Sequence, residues 1–223
     1  MLGEAIMPEE LRMEHGEFLV RLARKAVEEY VRNRKKIAPP SNTPKELWKL
    51  GASFVTLLKL VGKGAELRGC IGYTAAFQPL VENVISAAIA AATQDPRFPP
   101  VRAEELNTII VEVSVLSPLI PVAKESLMES FVIGRDGLVI KRGLYTGLLL
   151  PEVPVEYCWD KETFLSETCM KAGLRPDCWL DEDTEVYRFS ARTFRETRPG
   201  GDVVERDLRA EYESRCPPEV LKG

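Results

Sequence analysis

Residues 51–73 read GASFVTLLKLVGKGAELRGCIGY, and this stretch decides the fold class. Gly51 to Leu60 alternates in the manner of a half-buried strand, and Glu66 to Tyr73 returns as a second β-type run. Gly62-Lys63-Gly64 supplies the turn between them, so the pair is expected to be an antiparallel hairpin. On a regular strand, residues two apart share a face. Arg68 and Cys70 are therefore expected to point the same way, with Leu67 and Ile71 turned into the core.

Working outward, Phe18, Leu19, Leu22, Ala26 and Tyr30 recur at helical spacing and predict a helix over about 14–34. Arg32, Arg34, Lys35 and Lys36 close it, as expected of a solvated last turn facing the helix dipole. Pro79 is placed in the first turn of a second helix running to about Thr93, whose run of alanines permits close packing. Asp95-Pro96-Arg97-Phe98 breaks that helix. Thr108 to Ser117 is rich in Ile and Val and reads as a strand. A short helix is expected over 124–129, a hairpin over 131–140 turning at Arg135-Asp136-Gly137, and a strand over 146–150. A helix capped by Asp160 and stopped by Gly173 follows, then a strand over 185–194. The stretch from Pro199 reads as a mobile tail or a partner-bound extension. Strands arrive in hairpins rather than in alternating βα units. The expected class is α+β, with a largely antiparallel or mixed sheet and packed helices.

At 223 residues the chain can bury a core without a metal or disulfide staple. A net charge of −4 argues against tight direct binding of nucleic acid or of an anionic membrane. No run of apolar residues is long enough to span a bilayer, and Met1 to Met13 lacks the order of a signal peptide. The expected location is cytoplasmic. Five scattered cysteines without a CxxC motif do not form a secreted disulfide framework. Few Asn and Gln, with abundant charge and proline, hint at a thermophilic source, in which a Cys158–Cys169 or Cys169–Cys178 bridge is conceivable. One histidine, His15, and no clustered cysteines point to no metal site and to no identifiable cofactor. Standard phosphate and dinucleotide loops are absent.

What remains is the constellation around LRGCIG, residues 67–72. A guanidinium beside a thiol favours the reactive thiolate. Gly69 and Gly72 leave room for a backbone or a ligand to approach. The N-terminus of the second helix is an anion site if it faces the same cleft. The competing reading makes Cys70 a small packing residue and pairs Arg68 with Asp95 or another acid. Asp95, Arg97 and Phe98 form a second set, either tied into neighbouring backbone or contacting a ligand. Glu152, in a loop after a strand, is a third candidate.

On these residues the chain resembles the AMMECR family, in an archaeal-type form. The resemblance is carried by residues 16–24, 54–57, LRGCIG, Asp95-Pro96-Arg97-Phe98, 111–116, Gly137-Leu138, Leu149-Leu150-Pro151 and the segment 164–174. It covers roughly 14–195, leaving 1–13 and 196–223 as terminal extensions. It implies an α+β fold with two lobes bordering a cleft at the LRGCIG strand. Carried over onto this chain, its motif positions are Arg68, Gly69, Cys70 and Gly72, with Asp95, Arg97 and Phe98 as a second set. Cys70, as nucleophile or thiol ligand, and Arg68, as holder of an anionic group, are the catalytic candidates. Gly69, Gly72, Asp95, Arg97, Phe98 and Glu152 become ligand-binding candidates, with Glu152 departing from a Gln common in prokaryotic relatives. It also implies association with a Memo-type protein and a radical S-adenosylmethionine enzyme in a shared modification pathway. Such a partner would have to supply the iron–sulfur cluster, because this chain lacks the clustered cysteines. The expected function is an enzyme or substrate-binding subunit taking a small molecule or peptide in the cleft. The alternatives are a protein-interaction module and an accessory factor for nucleic-acid modification.

Overall fold

The computed structural model describes residues 5–62 and 64–222. Met1–Glu4, part of the segment judged not to be a signal peptide, lie outside the described residues, as does Lys63 in the turn expected between the first two strands. The chain divides into two compact units, residues 1–118 with 192–206, and residues 119–191 with 207–223.

The first unit opens with α1 (Met13–Asn33), close to the range the apolar spacing predicts. It buries Leu19, Val20, Leu22, Ala23, Ala26 and Val27 on one face. The hairpin follows as β1 (Ala52–Val61) and β2 (Gly64–Tyr73), then α2 (Leu80–Thr93) and β3 (Ile109–Leu116). Pro79 is the N-cap of α2, one position before the first turn in which it was expected. The strand order is β2-β1-β3, all antiparallel, with β2 at the end. Residues 192–196 of a long strand lie beyond β3, and Phe194 among them joins the core. Val55 and Leu57 of β1, together with α1 and α2, form that core, and side chains such as Leu19, Leu57 and Leu80 are fully buried. Burying each such side chain contributes about 1.5–3 kcal/mol.

The second unit holds β4 (Ile120–Val122), α3 (Leu127–Ser130), β5 (Asp136–Arg142) and β6 (Tyr145–Leu149). Then come α4 (Glu152–Tyr157), α5 (Lys161–Lys171) and β7 (Glu185–Glu196), whose last residues are those counted with the first unit. β7 pairs with both β4 and β5, and β5 also pairs with β6, all antiparallel. Asp160 caps α5 by accepting the Thr163 N–H at 2.8 Å, and Gly173 follows it at φ +76°, as expected. The hairpin expected over 131–140 does not form. Arg135 and Asp136 do make a turn, since the Val132 carbonyl accepts both of their N–H groups. That turn leads out of the buried Phe131–Ile133 segment into β5, and the true hairpin is β5–β6, turning through Gly143 and Leu144.

The stretch from Pro199 is not a loose tail. It carries β8 (Val203–Glu205), paired with β7, and α6 (Leu208–Arg215). Leu208, Tyr212 and Cys216 are buried in the core of the second unit. Tyr212 Oη donates to the Trp159 carbonyl at 2.7 Å, and Cys216 is disulfide-bonded to Cys158. A second disulfide joins Cys169 to Cys178, one of the two bridges conceived from sequence. Cys70 takes part in neither disulfide. The sequence misled because this stretch is charged overall and its apolar anchors are few, although Leu208, Tyr212 and Cys216 do recur at the four-residue spacing of a helix face.

Candidate functional site

The LRGCIG segment lies on β2, and its alternation is broken in the middle. Gly69 pairs with Leu57 and Leu67 pairs with Leu58, so Arg68 has no partner residue on β1. β1 keeps an unbroken register against β3, so the extra residue belongs to β2 as a β-bulge. A bulge shifts the face of every residue on one side of it. Arg68 and Cys70 consequently face apart, against the regular-strand expectation. Leu67, expected in the core, is 38% exposed.

On the helix-covered face, Arg68 forms a fork with Glu105. Its Nε donates to Oε1 at 3.0 Å and its Nη2 to Oε2 at 3.1 Å, while Nη1 donates to the Pro99 carbonyl at 2.9 Å. Both side chains are 10% exposed. Lys59, which follows Val55 and Leu57 on the same face of β1, also donates to Glu105, at 3.2 Å. The Arg102 N–H adds a bond to Oε2 at 3.0 Å. Chiefly because of the Arg68 hydrogen bonds, Glu105 is held down to a pKa of about 2, with the Arg102 N–H and Lys59 adding to the effect against the cost of burial. The acid that Arg68 needed is Glu105, not Asp95.

On the other face, Thr56 sits directly across from Cys70, and its hydroxyl donates to Sγ at 3.3 Å. The Cys70 N–H, pointing off the outer edge of β2, donates to Asp95 Oδ2 at 2.8 Å. Asp95 also accepts the Arg97 N–H at 3.1 Å, Arg97 Nε at 3.0 Å and Nη2 at 2.7 Å. These bonds, Arg97 first, hold Asp95 to a pKa of about 2. Reciprocally, Asp95 raises Arg97, and the Cys70 sulfur lies near enough to raise it further. The guanidinium that accompanies the thiol is thus Arg97, whose side chain is 47% exposed while that of Asp95 is 2% exposed. Phe98 lies between the two sets, its ring centroid 5.9 Å from the Arg68 guanidinium carbon and 5.5 Å from that of Arg97.

The two glycines serve the fold instead of leaving space for a ligand. A Cβ on Gly69 would collide with the Ala91 carbonyl oxygen of α2, and one on Gly72 with Phe54 and the Ser53 carbonyl. It is the C-terminal end of α2 that meets this part of β2, through Asp95. Its N-terminal end is elsewhere, with the Leu80 N–H donating to Lys49 at 2.9 Å. The anion site expected at that end therefore does not join the LRGCIG set. Glu152 belongs to the second unit, buried as the first residue of α4 rather than placed in a loop. Sequence reasoning missed Thr56, Arg102 and Glu105. The last left one signal, a Glu three residues after Arg102 at the start of a short 3-10 turn, the spacing of a capping box.

A family model described as AMMECR1 matches residues 20–194. The chain belongs to the AMMECR1 family. Within that family it is 55% identical over 201 residues to Protein PYRAB00100 of Pyrococcus abyssi, covering 89% of this chain and 98% of the relative. Protein TK0174 of Thermococcus kodakarensis is 56% identical over 201 residues, with the same shares covered. The crystal structure of Protein PH0010 from Pyrococcus horikoshii has the same fold, at a TM-score of 0.85 and 52% identity, over 88% of this chain and 98% of that one. An archaeal-type AMMECR1 protein of α+β class is therefore shown. Among the described residues, no helix is long and apolar enough to cross a membrane.

Proposed function

We propose that the outer face of β2 in this AMMECR1 protein is a thiol site of an enzyme or of a substrate-binding subunit, with Cys70 as nucleophile or thiol ligand. The observation that carries the reading is the polar setting of Cys70, whose Sγ accepts from the Thr56 hydroxyl and whose N–H is bound by the same Asp95 that holds the Arg97 guanidinium. A hydroxyl donor and a nearby positive charge both stabilise a thiolate over a thiol. Asp95 acts as a positioning residue. It binds the Cys70 backbone and the Arg97 side chain at once, fixing the charge relative to the sulfur. In this reading a Memo-type protein and a radical S-adenosylmethionine enzyme, the partners implied by the resemblance, supply the chemistry that this chain's residues do not.

The test is the pH dependence of thiol labelling on the folded protein. Cys70 is expected to label with a titration midpoint below the ordinary ~8.5 of a free thiol. Arg97→Gln should move that midpoint up toward the free value, with the fold unchanged by circular dichroism. A Cys70 that labels only on unfolding, or a midpoint indifferent to Arg97→Gln, overturns the reading.

The second reading, a protein-interaction module, has its own observation. Trp48 and Phe77 are 46% and 66% exposed on two adjoining segments, tied where Gly51 donates to Gln78 and Leu80 to Lys49. Two large aromatics exposed on adjoining segments offer apolar surface to a partner. In that case Phe77→Ser weakens partner binding and Cys70→Ser does not.

A further inference from the structure

On the helix-covered face of β2, apart from the thiol, a cavity of about 400 Å3 is lined by Arg68, Phe98, Pro99, Pro100, Arg102 and Glu105. Its volume lies within the range of small-ligand sites. Its walls divide by chemistry. Phe98 and the two prolines provide flat apolar surface, and the polar lining consists of two guanidiniums and one carboxylate. That leaves a surplus of one positive charge.

The two arginines are held differently. Arg68 is fixed by its fork on Glu105 and its bond to Pro99, which use three of its N–H groups. A guanidinium carries five, so two remain that it can offer to the cavity it lines. The Arg102 side chain is 80% exposed, and its guanidinium pairs only loosely with Glu105, Nε to Oε2 at 4.0 Å. Glu105 is instead satisfied by Arg68, by Lys59 and by the backbone N–H of Arg102. The Arg102 guanidinium is thus the charge at this cavity that the fold engages least. A fixed donor, an exposed cation and an aromatic-proline wall together suit one anionic group on a flat apolar body.

We infer that this cavity binds a small monoanionic ligand with a planar apolar body, of the aryl carboxylate class, with the carboxylate between Arg68 and Arg102 and the body against Phe98, Pro99 and Pro100. A dianion is disfavoured because the Glu105 carboxylate lines the same cavity, where a second negative charge on the ligand would face it. The inference goes beyond the thiol site and does not require Cys70 to react.

The experiment is an NMR titration at constant ionic strength with benzoate, its neutral isostere benzamide, and phenyl phosphate. It is run on the full chain and on the Arg102→Gln and Cys70→Ser variants. Benzoate is expected to produce saturable shifts at the Arg68 Nε–H and the Phe98 ring. Benzamide should bind about tenfold more weakly, as expected on losing a charge-assisted bond. Arg102→Gln, a surface change, should bring benzoate down to the level of benzamide, and Cys70→Ser should leave it unchanged. Equal binding of benzoate and benzamide overturns the proposal, as do shifts that map away from Phe98. Tighter binding of phenyl phosphate than of benzoate overturns the monoanion assignment. Because the readout is binding in a chain with or without the thiol, its failure is separate from a failure of Cys70 to label.

Discussion

The two sides of β2 carry the same chemical pair, an arginine with a carboxylate, and use it in opposite ways. On the helix-covered side Arg68 and Glu105 are both nearly buried and grip each other through two parallel bonds. On the outer side Asp95 is buried but Arg97 keeps its guanidinium half in solvent, held by the carboxylate that also binds the Cys70 N–H. A buried charge must be compensated where it lies, and the compensated pair then acts as a lock. A half-exposed charge anchored at one end remains available to act on a neighbour. The difference shows that an arginine within a motif is not thereby the one that serves the motif's thiol. Here the one inside LRGCIG is fixed by Glu105, and the one four residues past the end of α2 serves the sulfur.

The sharpest way to break this contrast is to remove the buried carboxylate charge. Glu105→Gln leaves Arg68 without its counter-charge in a largely dry setting, and should cost about 3 kcal/mol in urea unfolding. The pH dependence follows from the same bond. Glu105 titrates near 2 in the folded chain, below its unfolded value of about 4.3. Its contribution is complete above the unfolded value and is lost as pH falls toward the folded one. The wild-type protein should therefore lose stability between ~pH 5 and ~pH 2, and Glu105→Gln should lose less across that window. An equal acid response in the two proteins would mean that the fork contributes nothing.

Next in size is Gly69→Ala, which tests whether the bulge and the helix are packed backbone to backbone. The new methyl meets the Ala91 carbonyl oxygen, which belongs to a regular helix and cannot turn aside. Overpacking of this kind should cost about 2 kcal/mol, read as a lowered urea midpoint at unchanged m-value. A neutral Gly69→Ala would reopen the idea that the glycine leaves space for a ligand.

Much of this region is legible in the sequence. The long periodic segments, α1, α2, β1 and β3, announce themselves because each buries a full face. LRGCIG and Asp95-Pro96-Arg97-Phe98 are also conspicuous, and Asp95 binds backbone and Arg97 as a helix-stop loop should. What could not be read was their geometry. A single-residue bulge leaves no compositional trace, yet it reverses which way Arg68 faces relative to Cys70. Glu105 lies 37 residues from its partner, and Cys158 lies 58 residues from Cys216, and no local pattern links either pair. The folding of residues 199–216 was hidden by its charge, which outweighs the helical spacing of Leu208, Tyr212 and Cys216.

The smallest stability effect is expected on the outer side, and it discriminates most finely. Asp95→Asn keeps an acceptor for the Cys70 N–H but loses the charge that aligns Arg97. Arg97 is about half in water, where such pairs contribute little, so the loss should be about 1 kcal/mol, near the value of one hydrogen bond. The thiol should respond in a different measure. Without Asp95 the guanidinium keeps its charge but loses its fixed place, so the Cys70 labelling midpoint should become less sensitive to a further Arg97→Gln change. If the two substitutions shift that midpoint additively, Arg97 acts on the sulfur without Asp95's help, and Asp95 serves only to cap the outer edge of β2. If the double variant shifts no further than Arg97→Gln alone, the carboxylate works through the guanidinium, as its bonds to both Cys70 and Arg97 require.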